Sequence, residues 1–406
     1  MYNFDEKVDR RDTNAMKLEG YKSYIFGSKD LELPYTRDEF IHMWVADMEF
    51  SCAPEILEAI KERLDRKILG YTANYDDEIF HAVSNWCKDK YDWDIDRREF
   101  VISDGVIPAL EKLIKYVLKK DEKALFQTPG YSQFALCADR VSREYITSDL
   151  IYDGEGNYEI DFSDLDKKMA RSDVKLFIFC SPHNPTGRAW SEEELNKIAE
   201  LVKKHDIFLI SDEIHCDIRR KDAPKHIPFA KIMPDYEKIA ICRASTKTFN
   251  LAGLKQSEIF IRDRKIRRMW KSESSATLNP LSLAGVIAAY TKGDAWLDEL
   301  KNYLDENFKF MNEFIREKLP KAKISPSETT YLGWVDFGEY FEKGEDVELF
   351  FAKKAGVLIE SDKSFVDNAW GFVRLNLACP RDYLEEGLKR IEKSLNEKNE
   401  KFEEKR

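Results

Sequence analysis

The chain has 406 residues, too many for one small core and few enough for two packed domains. Its net charge of -11 argues against a nucleic-acid partner, because a phosphate backbone is held through excess Lys and Arg. No apolar run is long enough to cross a bilayer and the opening Met1-Tyr-Asn-Phe-Asp-Glu-Lys has no signal-peptide core, so a cytoplasmic, small-molecule protein with no membrane partner is expected.

Residues 1 to 50 read as an irregular arm ending in Met43-Trp-Val-Ala-Asp-Met-Glu-Phe50, which contributes to a small domain and to dimer contacts. Pro54 opens a helical pattern with Ile56, Leu57, Ile60 and Leu64, stopped by Gly70. A second helix spans about 78 to 90, with Phe80, Val83 and Trp86 on one face. From about residue 100 strands and helices alternate. Phe100-Val-Ile reads as a strand, and a helix runs on through Leu118 with Pro108 in its first turn. Short strands follow at 124 to 127, 176 to 180, 207 to 210, 239 to 242 and 259 to 261. Ser191 with Glu194 forms a capping box for a helix whose apolar face is Leu195, Ile198, Leu201 and Val202.

Such alternation predicts an α/β fold with a parallel sheet covered on both faces, here over residues 51 to 290. A helix near 281 to 290 closes that domain. Residues 291 to 406 are more charged, with helical patterns at 296 to 318 and 381 to 395 around short strands, and read as a smaller α+β domain. The tail from Asn396 is expected to fray. The seven scattered cysteines read as buried reduced thiols. Five polar clusters directly follow strands: Ser103-Asp-Gly, Thr128-Pro-Gly-Tyr, Ser181-Pro-His-Asn-Pro-Thr-Gly, Ser211-Asp-Glu-Ile-His and Ala244-Ser-Thr-Lys. Ligands of open α/β sheets sit outside the carboxyl ends of the strands, so the five clusters describe one pocket.

Three of these, in order, are Ser181-Pro-His-Asn184-Pro-Thr-Gly187, Ser211-Asp212-Glu-Ile-His215 and Ser245-Thr-Lys247-Thr-Phe-Asn250. With Arg374-Leu-Asn-Leu-Ala-Cys-Pro380, they resemble the motifs of fold-type I enzymes dependent on pyridoxal 5'-phosphate (PLP). The nearest branch is similar to the MalY/PatB cystathionine β-lyases, or cysteine C-S lyases. The resemblance implies a large domain with a mainly parallel sheet flanked by helices, a smaller α+β domain, and a homodimer with its site at the interface.

It also implies roles. Lys247 would carry the cofactor as a Schiff base, and partial desolvation would lower its pKa and leave some neutral amine. Asp212 would face the pyridine nitrogen, where a carboxylate keeps the ring protonated and electron-poor; the plain alternative is a loop or capping aspartate. Asn184 and His215 would border the ring, and Tyr131 would stack on it unless it is simply packed. Gly105 and Val106, at a helix start, Thr246 and Lys255 would hold the phosphate, with Tyr71 reaching a phosphate across the dimer. Arg374 would clamp the substrate carboxylate through its planar fork, the plain alternative being a surface ion pair. Tyr331 and Ala46, in the Val45-Ala-Asp47 turn, would border the substrate. Asp212, Glu213, His215 and Asp217 have no standard metal spacing, so no metal is expected.

The implied activity is β-cleavage of L-cystathionine, L-cysteine or related S-substituted cysteines to pyruvate, ammonia and a thiol or sulfide. Transamination is the alternative, and a PLP-binding regulatory protein with weak lyase activity a second one. His215 stands where aminotransferases usually carry Tyr. Asn250-Leu-Ala-Gly-Leu-Lys255 replaces a segment that usually ends in a phosphate-binding Arg. Two positions depart from the lyase pattern: Lys255, usually uncharged, and Glu49, usually Asp.

Overall fold

The computed structural model describes residues 1–72, 77–273 and 278–403. The arm is more ordered than expected: Met16–Glu19 and Tyr21–Phe26 are short helices and Ile41–His42 forms strand β1. Apolar side chains cause this order, since Tyr21, Ile25, Phe40 and Trp44 pack against Ala352 and Leu358. Helices Pro54–Leu64 and Asp77–Tyr91 follow. The first stops short of Gly70 and buries Ile56, whereas Leu57 and Leu64 stay exposed.

Next in chain order come β2 (Phe100–Ser103), β3 (Lys123–Thr128), β4 (Gly130–Tyr131), β5 (Glu144–Tyr152), β6 (Tyr158–Ile160), β7 (Val174–Cys180), β8 (Phe208–Asp212), β9 (Ile239–Arg243) and β10 (Ser257–Ile261). All but β4 form one sheet, in the order β2-β10-β9-β8-β7-β3-β5-β6. Strands β5, β3, β7, β8 and β9 are parallel. Strand β10 is antiparallel to both neighbours. Between β9 and β10 lie only the short turns Ser245–Thr248 and Ala252–Leu254, with no crossover helix, so the chain returns rather than crosses. The apolar runs of β8 and β9 are buried at every position because both faces are covered. Leu125, Phe177, Leu209 and Ile241 point to one core with Leu195, Ile198 and Val286. Their neighbours Phe126, Ile178, Ile210 and Ala240 point to the other, under Leu110, Leu113 and Ile114 of helix Val106–Val117.

Helix Asp294–Lys318 then spans two cores: Trp296, Leu300 and Leu304 join the first, Phe308, Met311 and Ile315 a separate one. That separate core lies against a three-stranded antiparallel sheet of β11 (Lys323–Ile324), β12 (Leu332–Asp336) and a later strand. Strand β13 (Val357–Leu358) pairs in parallel with β1, β14 (Phe365–Val366) pairs with β4, and β15 (Phe372–Asn376) completes the small sheet. Helix Arg381–Glu403 covers it with Leu384, Leu388 and Ile391. The tail expected to fray is therefore helical to Glu403; residues 404–406 lie outside the described residues. So do Ala73, Asn74 and Tyr75 of the Gly70-Tyr-Thr-Ala-Asn-Tyr run. All seven cysteines are free, six of them buried. Among the described residues no helix is long and apolar enough to cross a membrane.

Candidate active site

The carboxyl ends of the parallel strands open into a cavity of about 260 Å³. Asp212 ends β8, Asn184 lies in the turn after β7, and Lys247 sits in the turn Ser245–Thr248 after β9. Gly105, Val106, Tyr131, His215, Thr246 and Lys255 also line this cavity, as do Ala46 from the arm and Arg374 from β15. Tyr331, expected to border the substrate, does not. Tyr331 is buried behind Ala46, to whose carbonyl its hydroxyl donates at 3.0 Å. Tyr71, expected to act across a dimer, is fully exposed at a separate surface groove beside Arg63 and Pro280.

Lys247 is half-buried in the cavity wall, and its amine donates to the Ala46 carbonyl oxygen at 2.7 Å. Burial lowers its pKa to about 8, against the opposing charge of Asp47. The turn that supplies Ala46 is tied on several sides. Asn250 donates its amide to Met48 O (3.2 Å) and Phe50 O (3.0 Å) and accepts the Met48 N–H (3.0 Å). Asn376 donates to Val45 O and Asp47 O. Buried Lys17 donates to Asp47 O at 2.8 Å and pairs with Glu49, which also meets Arg10. Glu49 thus bridges two cations of the arm. On the other side of Lys247, Thr248 donates to buried Asp217 at 2.7 Å, which also accepts from Trp86, Tyr91 and Arg243. Lys247 is therefore pinned by its neighbours, while its own side chain makes a single hydrogen bond among the described residues.

Asp212 is buried and accepts the Ile214 N–H at 3.2 Å, with no ion-pair partner among the described residues. Burial raises its pKa to about 7. Such a carboxylate lacks a cation. His215 is driven down to about 3 by burial, helped by Lys247 and Arg374, so it is a neutral ring; its Nδ1 has no partner. Tyr131 pairs in register with Phe365 in the two-stranded β4-β14 ladder and stays half-buried in the cavity wall. Gly105 caps helix Val106–Val117 at φ 132° without a side-chain cap, so free N–H groups of the first turn face the cavity. Lys255 extends from a left-handed turn residue (φ 48°) and makes no ion pair among the described residues.

Arg374 differs most from expectation. It is an ion pair, but a buried one: Nη2 meets Glu360 and Nη1 donates to Asn184 Oδ1 at 2.9 Å, while Nε has no partner. Asn184, expected to address only the ring, holds the arginine with its oxygen and keeps its NH₂ group for the cavity. Sequence reasoning missed Glu360 altogether, because an acidic residue closing the apolar run Val357-Leu-Ile does not by itself report its pairing with Arg374.

The profile of the aminotransferase class I and II family matches residues 39–391. Cystathionine beta-lyase PatB of Bacillus subtilis is 36% identical over 399 residues, covering 97% of this chain and 100% of its own. Protein MalY of Escherichia coli is 29% identical, covering 96% of this chain and 97% of its own. Among solved structures, a PLP-bound C-S lyase from Staphylococcus hominis superposes with a TM-score of 0.94 at 45% identity, over 97% of this chain and 98% of its own. Cystalysin from Treponema denticola, which contains PLP, gives 0.91 at 32%, over 98% and 99%. The chain belongs to the aminotransferase class I and II family, in the branch that includes cystathionine beta-lyase PatB.

Proposed function

We propose that the protein is a PLP-dependent carbon-sulfur β-lyase that converts L-cystathionine, L-cysteine or related S-substituted cysteines to pyruvate, ammonia and a thiol or sulfide. The observation that carries the cofactor is the pairing, in one cavity, of a half-buried amine with a depressed pKa and a buried carboxylate that lacks a cation. A pyridinium aldehyde satisfies both, and the open helix start at Gly105 suits its phosphate. Lys247 would hold the cofactor through its amine, Asp212 would face the ring nitrogen, Tyr131 the ring, and the Asn184 NH₂ the phenolic oxygen. Val106, Thr246 and Lys255 would hold the phosphate. Bound PLP supplies an electron sink for negative charge at the carbon next to the substrate nitrogen.

The chain does the rest. With a pKa of about 8, Lys247 keeps a neutral fraction near neutral pH and can take the Cα proton at Nζ. Ala46 O fixes where that nitrogen points. Arg374 would receive the α-carboxylate, and neutral His215 adds no charge to the reacting centre. Near-full-length likeness to cystathionine β-lyases and C-S lyases supports cleavage over amino transfer.

The holoenzyme with L-cystathionine or L-cysteine should release pyruvate and a thiol or sulfide with no 2-oxo acid added. Strict dependence on a 2-oxo acid would overturn the lyase reading. Lys247→Ala should lower turnover by about a thousandfold. A homodimer completes the proposal: Leu64, Ile68, Leu69 and Tyr71, all exposed within eight residues of chain, are large apolar side chains of the kind that partners cover. Sedimentation should then give twice the mass of the chain, and a monomer would sink it.

A further inference from the structure

Glu360 is buried at 2% exposure and lines the same cavity as Lys247. Its backbone is bridged to Arg374, whose N–H donates to Glu360 O at 2.8 Å, so the two side chains leave this isolated bridge on the same side. Arg374 is 3% exposed, and one edge of its guanidinium already meets Glu360. The pair is electrically neutral as it stands, which is how two such charges tolerate burial. A substrate α-carboxylate arriving at Arg374 therefore comes to lie beside a second carboxylate. The other cations that line the cavity are Lys247, taken up by the chemistry, and Lys255, on the turn that faces the Gly105 helix start. The substrate end is left with one cation, already shared, and one fixed anion. Tyr24 and Tyr131, also in the lining, add hydroxyls but no charge.

We propose that Glu360 determines specificity: it favours S-substituted cysteines whose substituent carries an ammonium group and disfavours those whose substituent carries a carboxylate. A cation on the substituent meets an acceptor that is already desolvated, whereas an anion meets like charge in a low-dielectric site. The inference rests on the lyase reading, because it concerns the substrate of that site.

The test compares kcat/KM of the holoenzyme for S-(2-aminoethyl)-, S-methyl- and S-carboxymethyl-L-cysteine, read as pyruvate, in the wild type and in Glu360→Gln. The wild type should prefer the aminoethyl over the carboxymethyl substrate by about tenfold or more. Glu360→Gln should bring that ratio within about threefold of unity, mostly through KM, while Glu360→Asp keeps the sign of the preference. Because a ratio is read, partial misfolding of a variant does not affect it. An unchanged ratio in Glu360→Gln, or a wild type that prefers the carboxymethyl substrate, would overturn the proposal. Should no substrate release pyruvate, the lyase reading fails on its own. Calorimetric binding of the same compounds to PLP-loaded Lys247→Ala protein then decides on Glu360, with the same ratio expected in its favour and no discrimination against it.

Discussion

Asp212 shows how a functional residue works against stability until its ligand arrives. Without cofactor its carboxyl is held at about 7, well above its ordinary value of 3.8, because it is buried. The folded protein thus holds a proton that the unfolded chain has released, and Asp212's contribution is full below about pH 4 and lost as pH rises through about 7. Asp212→Asn in cofactor-free protein should therefore gain on the order of 2 kcal/mol at pH 8 and almost nothing at pH 4. The same variant should bind PLP more weakly. Urea unfolding at the two pH values checks this, and equal gains at both would contradict it. Lys247, Asp212 and Asn184 were legible because each sits at a strand end within an ordered motif. Glu360 was not, since its partner Arg374 is fixed by a bridge between separate segments that spacing does not report.

Among elements, helix Val106–Val117 and the turn at Lys255 face the same end of the cavity. A Cβ at Gly105 would lie 3.6 Å from Pro108 Cδ, an ordinary contact, so the obstacle to a larger residue is the φ of 132° and not space. Gly105→Ala should cost about 1–3 kcal/mol and weaken PLP retention by reorienting the first-turn N–H groups. Lys255→Ala should weaken retention as well, but with stability changed by less than about 0.5 kcal/mol, because its side chain is exposed and its left-handed backbone is equally strained in either residue. Dialysis followed by absorbance of the remaining cofactor separates the two variants when paired with thermal unfolding. The long apolar periods of β7, β8, β9 and the helices beside them could be read directly. Strand β5, with its mixed burial, and the helices Ser132–Arg140 and Phe162–Met169, nine and eight residues long, are too irregular or too short to stand out.

For the molecule as a whole, the arm is the part least visible in sequence, because its order comes from contacts with residues far along the chain. Lys17 is 1% exposed and holds both Asp47 O and Glu49. Lys17→Met would leave a buried carbonyl and a carboxylate without this partner, at a cost of about 3 kcal/mol, and would loosen Ala46 against Lys247. Denaturant unfolding should show the loss, and a stability within 0.5 kcal/mol of wild type would rule it out. The antiparallel return of β10 was equally hidden, since apolar runs do not encode direction. The pairing of the arm with the far end of the chain also bears on how the protein is made. Asn376, which holds Val45 O, is added 331 residues after it. At about 5–20 residues per second, the ribosome leaves that turn without its late anchor for roughly 20 to 60 seconds. The pocket can therefore take shape only near the end of translation, and a nascent chain has no finished place for a vitamin-derived aldehyde until its last strand has emerged.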